Sequence, residues 1–586
     1  MAENIVEVFF RTADKQGGLP CYHYKMGGVW KTLTWNEFRD QVCKLAAHLE
    51  SLPVKKGERV GVYAQTRMEW TLADLAIMAC GAMNVPIYHT FSKEHVEHII
   101  KDSDIHVIFT ENKALQDNVG EIARRISRQI LVIPMLDETA HSVPSILARP
   151  INASAAAIRN RASQIGSDDV ATIVYTSGTT GFPKGVVLTH GNILSEIKAV
   201  YRIYRFSAEQ IGFLCLPLAH VLGRLMEFHH FMSGYQIAFL ESYEKFSDNC
   251  REVRPHIIVG VPRILEKIHE RIHASLERGP LWRRRLFEWG LSVGRNTGNL
   301  EQKHLRIPVF LRFKLFFANW LIFKKIRKRL GGRVSLFVSG GAALGSELAK
   351  DFQAMGLLIM EGYGLTETFA AVTVNCPDDY HFGTVGKPIH GVEVRISDEG
   401  EILVRGPTVF REYLNLPKET HGVKTPDGWF RTGDIGEISR DGFLRITDRL
   451  KDLIITAGGE NVAPQMIETS LMESRYINYC MIYGDKKKYL TALVTLNPDA
   501  IREYASQFGI EGDFRELASH PRVKKLIESV IQEKNVKFAR FETIKKFVIL
   551  DHDFSQDSGE LTPTLKVRRR FTAEKYKDVL EGLYRE

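Results

Sequence analysis

Residues 173–188 read Ile-Val-Tyr-Thr-Ser-Gly-Thr-Thr-Gly-Phe-Pro-Lys-Gly-Val-Val-Leu, two apolar runs on either side of a loop of glycines, hydroxyls and one lysine. The apolar runs read as strands. The glycines between them let the backbone reach φ > 0 and approach a ligand closely. Successive free N–H groups in such a turn make an anion-binding concavity, to which Thr176, Ser177, Thr179, Thr180 and Lys184 add donors and a charge. That is chemistry for a polyphosphate. The loop is not a Walker A loop, which ends Gly-Lys-Ser/Thr and opens a helix. Here Pro183 precedes Lys184, Gly185 follows it, and a strand comes next. The competing reading is a Gly/Ser/Thr-rich surface hairpin with no ligand.

The 586 residues exceed one simple core, so two or more domains are expected. Thr34 with Glu37 three residues on forms a capping-box pattern before a helical stretch at 35–49. A strand at 59–64, a helix at 69–83, a strand at 85–88, a helix at 94–103 and a strand at 106–110 follow. This alternation predicts an α/β domain with a mainly parallel sheet. The seven cysteines are scattered, odd in number and without a C-x-x-C pair, which argues against a disulfide framework or zinc site and for a reducing, cytoplasmic setting. The first 16 residues carry Glu3, Glu7, Arg11, Asp14 and Lys15 and no signal-peptide pattern. No uncharged apolar run reaches the ~18 residues that span a bilayer.

Net charge is +8, but residues 281–333 hold fourteen Arg/Lys against two Glu, a local +12, so the remainder is −4. Within this basic segment Phe310, Phe313, Phe317 and Trp320 recur at three- and four-residue steps over a helix at 307–330, with Lys324, Lys325, Arg327, Lys328 and Arg329 near its end. Three readings compete: a helical hairpin packed on its own domain with a solvated basic face, a helix lying on a membrane surface, and nucleic-acid binding, for which no known module is present.

Further candidates fall at strand ends, where open α/β sheets bind ligands. His220 follows the strand at 211–217. A strand at 334–339 delivers Gly340, Gly341 and Ala342. A strand at 357–361 delivers Gly362, Tyr363, Gly364, Thr366 and Glu367. Small residues admit a flat ring, Tyr363 can cover its face, and Glu367 is a hard oxygen ligand suited to Mg²⁺. From 391 the pattern changes to short alternating strands, among them 392–396 and 401–405. Trp-Phe-Arg-Thr-Gly-Asp stands at 429–434, Asp-Arg-Leu-Lys-Asp at 448–452, and a turn with Gly458 and Gly459 before Pro464. The last ~130 residues read as a compact α+β unit. Lys566, before three arginines, reads on its own as a solvated surface charge.

Together, Tyr-Thr-Ser-Gly-Thr-Thr-Gly-Phe-Pro-Lys-Gly (175–185), Tyr-Gly-Leu-Thr-Glu (363–367), Arg-Thr-Gly-Asp (431–434), Asp-Arg-Leu-Lys-Asp (448–452) and Leu-Thr-Pro-Thr-Leu-Lys (561–566) resemble, in this order, the motif series of the adenylate-forming acyl-CoA synthetase superfamily. The basic insertion (about 266–333) and residues 458–464 and 540–547 resemble its long-chain fatty acid branch. The resemblance implies a large N-terminal AMP-binding domain (1–447) of stacked, mainly parallel sheets with helices and a small β-barrel-like subdomain. A hinge at 448–452 and a small mobile α+β domain (453–586) complete it. The implied reaction converts a long-chain fatty acid and ATP to acyl-AMP and pyrophosphate, and then uses CoA to give acyl-CoA and AMP.

The resemblance also implies roles. Thr176, Ser177, Gly178, Thr179, Thr180, Gly181 and Lys184 would hold the β- and γ-phosphates. Gly341, Ala342 and Tyr363 would form the adenine slot, and Gly364 beside them would also be a cofactor-binding residue. Thr366 would bond the α-phosphate and Glu367 bind Mg²⁺. Asp434 and Arg449 would take the ribose, and His220 would lie near the carboxylate. Lys566 would be the adenylation lysine, withdrawn after the first half-reaction as Gly458 and Gly459 approach the thiol channel. Lys486, Lys487 and Lys488 could meet the 3′-phosphate of CoA, though such a run is more often solvated. Another acid, a carrier-protein acceptor and a catalytically silent lipid-binding homologue are the alternatives. A homodimer is compatible with the resemblance, and nucleic acid is not expected.

Overall fold

The computed structural model describes residues 3–585 apart from 53, 137–138, 151–153, 177–181, 278, 459 and 563–564. Ser177, Gly178, Thr179, Thr180, Gly181 and Gly459 thus lie outside the described residues. The two apolar runs around them are the arms of an antiparallel hairpin, Val170–Thr176 with Lys184–Thr189, in a register that sets Thr176 opposite Lys184.

This hairpin belongs to one of two large sheets formed by the described residues. Its sheet runs in the order Glu412–Tyr413, Lys184–Thr189, Val170–Thr176, Met83–Ile87, Arg59–Tyr63, Val107–Thr110, Leu131–Pro134. The last five strands are parallel. The second sheet runs Lys387–Pro388, Thr373–Val374, Leu358–Tyr363, Leu336–Ser339, Ile257–Gly260, Ile211–Leu214, Gln236–Phe239, Pro20–Met26, Val29–Thr34, and its centre is parallel. Side chains alternate across a strand, so each sheet has two apolar faces. Ile257 and Val259 point into a core shared with Val60, Val62 and Val174 of the other sheet, while Ile258 and Phe337 point outward. Helices fill the space between the sheets, and others cover both outer faces, giving five layers. Strands buried on both faces explain the near-continuous apolar runs at 59–64 and 334–339.

The helix Trp35–Ser51 carries the expected capping box, Thr34 and Glu37 each bonding the other's backbone N–H. The helical reading at 69–83 overshoots. The helix Met68–Ala79 stops at Cys80, Gly81 takes φ +72°, and Met83 already starts the next strand. The apolar run does not mark this change because helix and strand are both fully buried. The reading at 307–330 is corrected too: Val309–Ala318 and Lys324–Arg329 are α-helical, but Asn319–Phe323 between them is a π-helical segment.

Beyond these layers stands a small antiparallel sheet, Glu393–Ile396, Glu401–Arg405, Phe430–Ile438, Leu444–Arg449. The C-terminal unit has its own sheet, Ile477–Tyr483, Leu490–Leu496, Ile544–Ile549, and its own cores. Arg224, four residues past His220, is fully buried. Its guanidinium donates to both carboxylate oxygens of Asp74 at 2.7 and 2.8 Å and to Thr172 Oγ1 at 2.5 Å. It pins the helix Val221–Ser233 to the helix Met68–Ala79 and to the hairpin strand, and so fixes the helix that presents His220.

Candidate active site

A cavity of about 780 Å³ opens where the ends of these strands meet the small sheet and the C-terminal unit. Its polar part is lined by Thr176, Lys184, His220, Gly341, Tyr363, Gly364, Thr366, Glu367, Asp434, Arg449 and Lys566. Residues from all five sequence motifs, spread from Thr176 to Lys566, therefore converge. The cavity continues into an apolar part between the helices His190–Ile203 and Val221–Ser233, where Val200, Leu225 and Met226 line it.

Two glycines are required by geometry. Gly341 has φ +83°, the left-handed region that side chains avoid. At Gly364 a Cβ would sit 1.3 Å from the carbonyl oxygen of Ala370. The turn after Tyr363 is thus closed to every other residue, and it aims Thr366 and Glu367, in the 3-10 turn Thr366–Thr368, at the cavity.

The Arg-Thr-Gly-Asp and Asp-Arg-Leu-Lys-Asp motifs meet by strand register. Asp434 in Phe430–Ile438 lies directly opposite Arg449 in Leu444–Arg449. Arg449 Nε donates to Asp434 Oδ1 at 3.0 Å, and the Tyr363 hydroxyl donates to Asp434 Oδ2 at 2.7 Å. The buried Asp434 carboxylate is oriented on both oxygens and keeps acceptor capacity for further hydroxyl donors.

Lys566 sits in a tight turn. Its backbone N–H bonds Thr562 Oγ1 at 3.0 Å, Thr562 N–H bonds the Lys566 carbonyl at 2.8 Å, and Leu565 takes φ +61°. Left-handed backbone at a leucine costs of order 1 kcal/mol or more, and here it serves to project Lys566 into the cavity. Burial and the nearby Arg449 charge pull the ammonium pKa down to about 8, against the opposing pull of Asp434. It is a charged group at neutral pH, with its titration brought close. His220 caps its helix by accepting the Leu222 N–H on Nδ1 at 3.2 Å. Its ring proton therefore resides on Nε2, and burial, helped by the Lys566 charge, lowers its pKa to about 4. It presents a neutral donor.

Tyr413, which sequence reasoning passed over, ties two site groups together. Its hydroxyl donates to Glu367 Oε1 at 2.7 Å, and Lys184 Nζ lies 5.3 Å from its ring centroid. The sequence gives no signal for it; the structure places it on a two-residue edge strand beside the phosphate-loop hairpin. His98 was missed as well. Its Nε2 is 3.0 Å from the Pro183 carbonyl, and its ring stacks on Phe182, bracing the exit of the glycine loop.

A family model described as AMP-binding enzyme matches residues 9–414, and one described as AMP-binding enzyme C-terminal domain matches 451–586. The chain belongs to the AMP-binding enzyme family. This AMP-binding enzyme is 36% identical over 599 residues to "Long-chain-fatty-acid--CoA ligase FadD15" of Mycobacterium bovis, covering 99% of the chain and 97% of the relative. It is 30% identical to "Long-chain-fatty-acid--CoA ligase 5" of Rattus norvegicus, covering 100% and 89%. Among solved structures, ATP-bound MatB from Rhodopseudomonas palustris superposes with a TM-score of 0.73 at 23% identity over 99% and 100% of the two chains, a likeness of fold.

Not every candidate residue reaches the cavity of this AMP-binding enzyme. Ala342 is exposed and outside the lining. Gly458 lies exposed in the turn between Ile454–Ile455 and Asn461–Val462, also outside it. Of the three lysines considered for CoA, Lys487 is engaged with Glu581 at 2.7 Å.

Proposed function

We propose that the chain activates a long-chain fatty acid with ATP and transfers the acyl group to CoA. One observation carries this reading: a single cavity runs from Lys566, Asp434, Arg449 and Tyr363 into an apolar section between two helices, so a polar nucleotide and an aliphatic chain fit end to end. The full-length similarity to relatives named long-chain-fatty-acid–CoA ligases supports the same acid class.

In the first half-reaction a carboxylate oxygen attacks the α-phosphorus, the bond to the β-phosphate oxygen breaks, and pyrophosphate leaves. Tyr363 covers the adenine face beside Gly341 and Gly364, and Asp434 accepts from the ribose hydroxyls with Arg449 beside it. Lys184, with the hairpin loop 176–184, holds the β- and γ-phosphates. His220 donates from Nε2 to the carboxylate and orients it. Thr366 and the Lys566 ammonium meet the α-phosphoryl oxygens, where negative charge accumulates, and such preorganised charge is the main lever for phosphoryl transfer. Glu367 fits a divalent cation, because its carboxylate is a hard donor already oriented by Tyr413 at the cavity wall. Mg²⁺ held there with the phosphate oxygens would neutralise charge on the leaving pyrophosphate.

In the second half-reaction the CoA sulfur attacks the acyl carbonyl, the acyl–phosphate bond breaks, AMP leaves and the thiol proton is released. Lys566 stands where AMP and the thiol must pass, so the C-terminal unit turns about residues 448–452 to withdraw it. Such a turn breaks the contacts that tie the two units here, the Gln465 N–H on Asp448 Oδ2 at 3.4 Å and the Asn497 Nδ2 on Glu270 Oε2 at 3.1 Å.

Incubation with a C16 acid, ATP and Mg²⁺ tests the reading. Acyl-AMP and pyrophosphate form without CoA, and acyl-CoA and AMP form in equal amounts with it. Hydrolysis of ATP to ADP, or no acid-dependent product, would exclude it.

A further inference from the structure

The helix Val221–Ser233 lines the apolar part of the cavity along most of its length. Leu222, Leu225, Met226 and His229 recur at i, i+3, i+4 and i+7, which puts them on one face of the helix. All four line the cavity. Arg224, on another face, bonds Asp74 and holds the lining face in one orientation. His220 caps the helix at the polar end of the cavity. His229 follows further along the same face, about 14 Å down the axis at the helical rise of ~1.5 Å per residue.

At that far end the lining becomes aromatic. The rings of Phe206, His229 and Tyr235 meet there and all line the cavity. Their centroids lie 5.5 Å (Phe206–His229), 5.3 Å (Phe206–Tyr235) and 5.7 Å (His229–Tyr235) apart. The rings are held in place. The Tyr235 hydroxyl donates to the Met226 carbonyl at 2.9 Å, and His229 Nε2 donates to the Tyr204 carbonyl at 3.0 Å. Burial lowers the His229 pKa to about 4, so a neutral ring stands in the wall. Gly212 closes the space behind: a Cβ there would come within 2.6 Å of Met226 and 2.8 Å of Tyr235. His229 and Tyr235 are buried, whereas Phe206 is half-buried between the exposed Arg205 and Ser207. Phe206 thus separates the apolar end of the cavity from solvent.

We propose that Phe206, His229 and Tyr235 are the stop of the acyl section and set the upper chain length at about sixteen carbons. An extended chain advances about 1.2 Å per bond, the reach of an extended residue shared among its three backbone bonds. With the carboxylate at His220, about eleven bonds lie along the helix before the chain reaches His229. The ring spacing of about 5.5 Å takes about four carbons more. Up to the rings each methylene adds its burial; beyond them it must push packed side chains off their rotamers. The stop rests on the ligase reading above and deepens it from an acid class to a length limit.

ATP–pyrophosphate exchange of the full chain with saturated acids from C6 to C20 tests it. The readout is the ratio of kcat/KM between two acids within one protein, which a general loss of activity does not move. In the wild type kcat/KM rises to about C16 and is lower by about tenfold or more at C20. Phe206→Ala and His229→Ala each open the wall and raise the C20-to-C16 ratio by about tenfold or more. Leu225→Trp fills the section about 8 Å along the helix from His220 and moves the optimum down to about C8. Phe206 is only half-buried, so Phe206→Ala keeps a cooperative thermal transition and carries the test if a change at a buried position prevents folding. Wild-type exchange still at its maximum at C20, or a C20-to-C16 ratio unchanged in Phe206→Ala and His229→Ala, would overturn the stop and leave the ligase reading standing. No exchange with any acid in the wild type would defeat both.

Discussion

Replacement of Lys566 by alanine separates the two half-reactions. The side chain is half-buried in the cavity, and its nearest charged neighbours are Arg449, which repels it, and Asp434, which attracts it. Among the described residues Lys566 forms no ion pair, and its charge is free to engage an anion. A unit charge about 4 Å from a phosphoryl oxygen, at an effective dielectric near 20, is worth about 4 kcal/mol. If that interaction is made in the transition state of adenylation, its loss slows the step by about three powers of ten. The assay has two arms: ATP–pyrophosphate exchange with a C16 acid, and thioester formation from supplied acyl-AMP and CoA. Lys566→Ala should lose about a thousandfold in the first and keep wild-type rate in the second, because Lys566 is withdrawn by then. Equal losses in both arms would refute the assignment, as would a loss below about tenfold in the first, which is only about 1.4 kcal/mol.

Three further outcomes follow from the geometry. Lys566 is charged below about pH 8 and neutral above it, so kcat/KM for adenylation falls as pH rises through that value; Lys566→Arg, charged throughout, removes this limb, and an unchanged profile would contradict the role. Asp74→Ala leaves the Arg224 guanidinium buried and unpaired, which costs about 3–5 kcal/mol; urea unfolding should show it, and a loss under about 1 kcal/mol would mean the pair is not fixing that helix. Gly364→Ala forces a Cβ into the Ala370 carbonyl, so ATP binding measured by calorimetry should vanish or the chain should fail to fold, whereas wild-type affinity would contradict the turn as drawn.

The parts of the site that were legible in the sequence are those where chemistry leaves a local mark. Glycines at forced backbone positions, a lone lysine among hydroxyls, and a carboxylate after a strand can all be read one residue at a time. The pairing of Asp434 with Arg449 could not be read this way, because it depends on strand register across a turn. Tyr413 and His98 escaped for a related reason: each acts through a neighbour brought in from a distant segment, Glu367 in one case and Pro183 in the other. The helix end at Ala79 was misplaced because full burial erases the amphipathic period that marks a boundary. For the stripe at 310–320 the sequence showed a period but not what lies opposite it. A core helix and a surface helix share that spacing, and only the exposure of the rings separates them.

The acid itself is the central question. ATP–pyrophosphate exchange across saturated acids of increasing length, with short-chain and aromatic acids alongside, measures it at the step where the acid first reacts. Long-chain acids should drive exchange with the highest kcat/KM, each added methylene contributing while it enters the apolar section, at about 0.8 kcal/mol or roughly fourfold per methylene. Exchange that peaks with a short or aromatic acid, or that does not change with chain length, would contradict a long-chain fatty acid substrate.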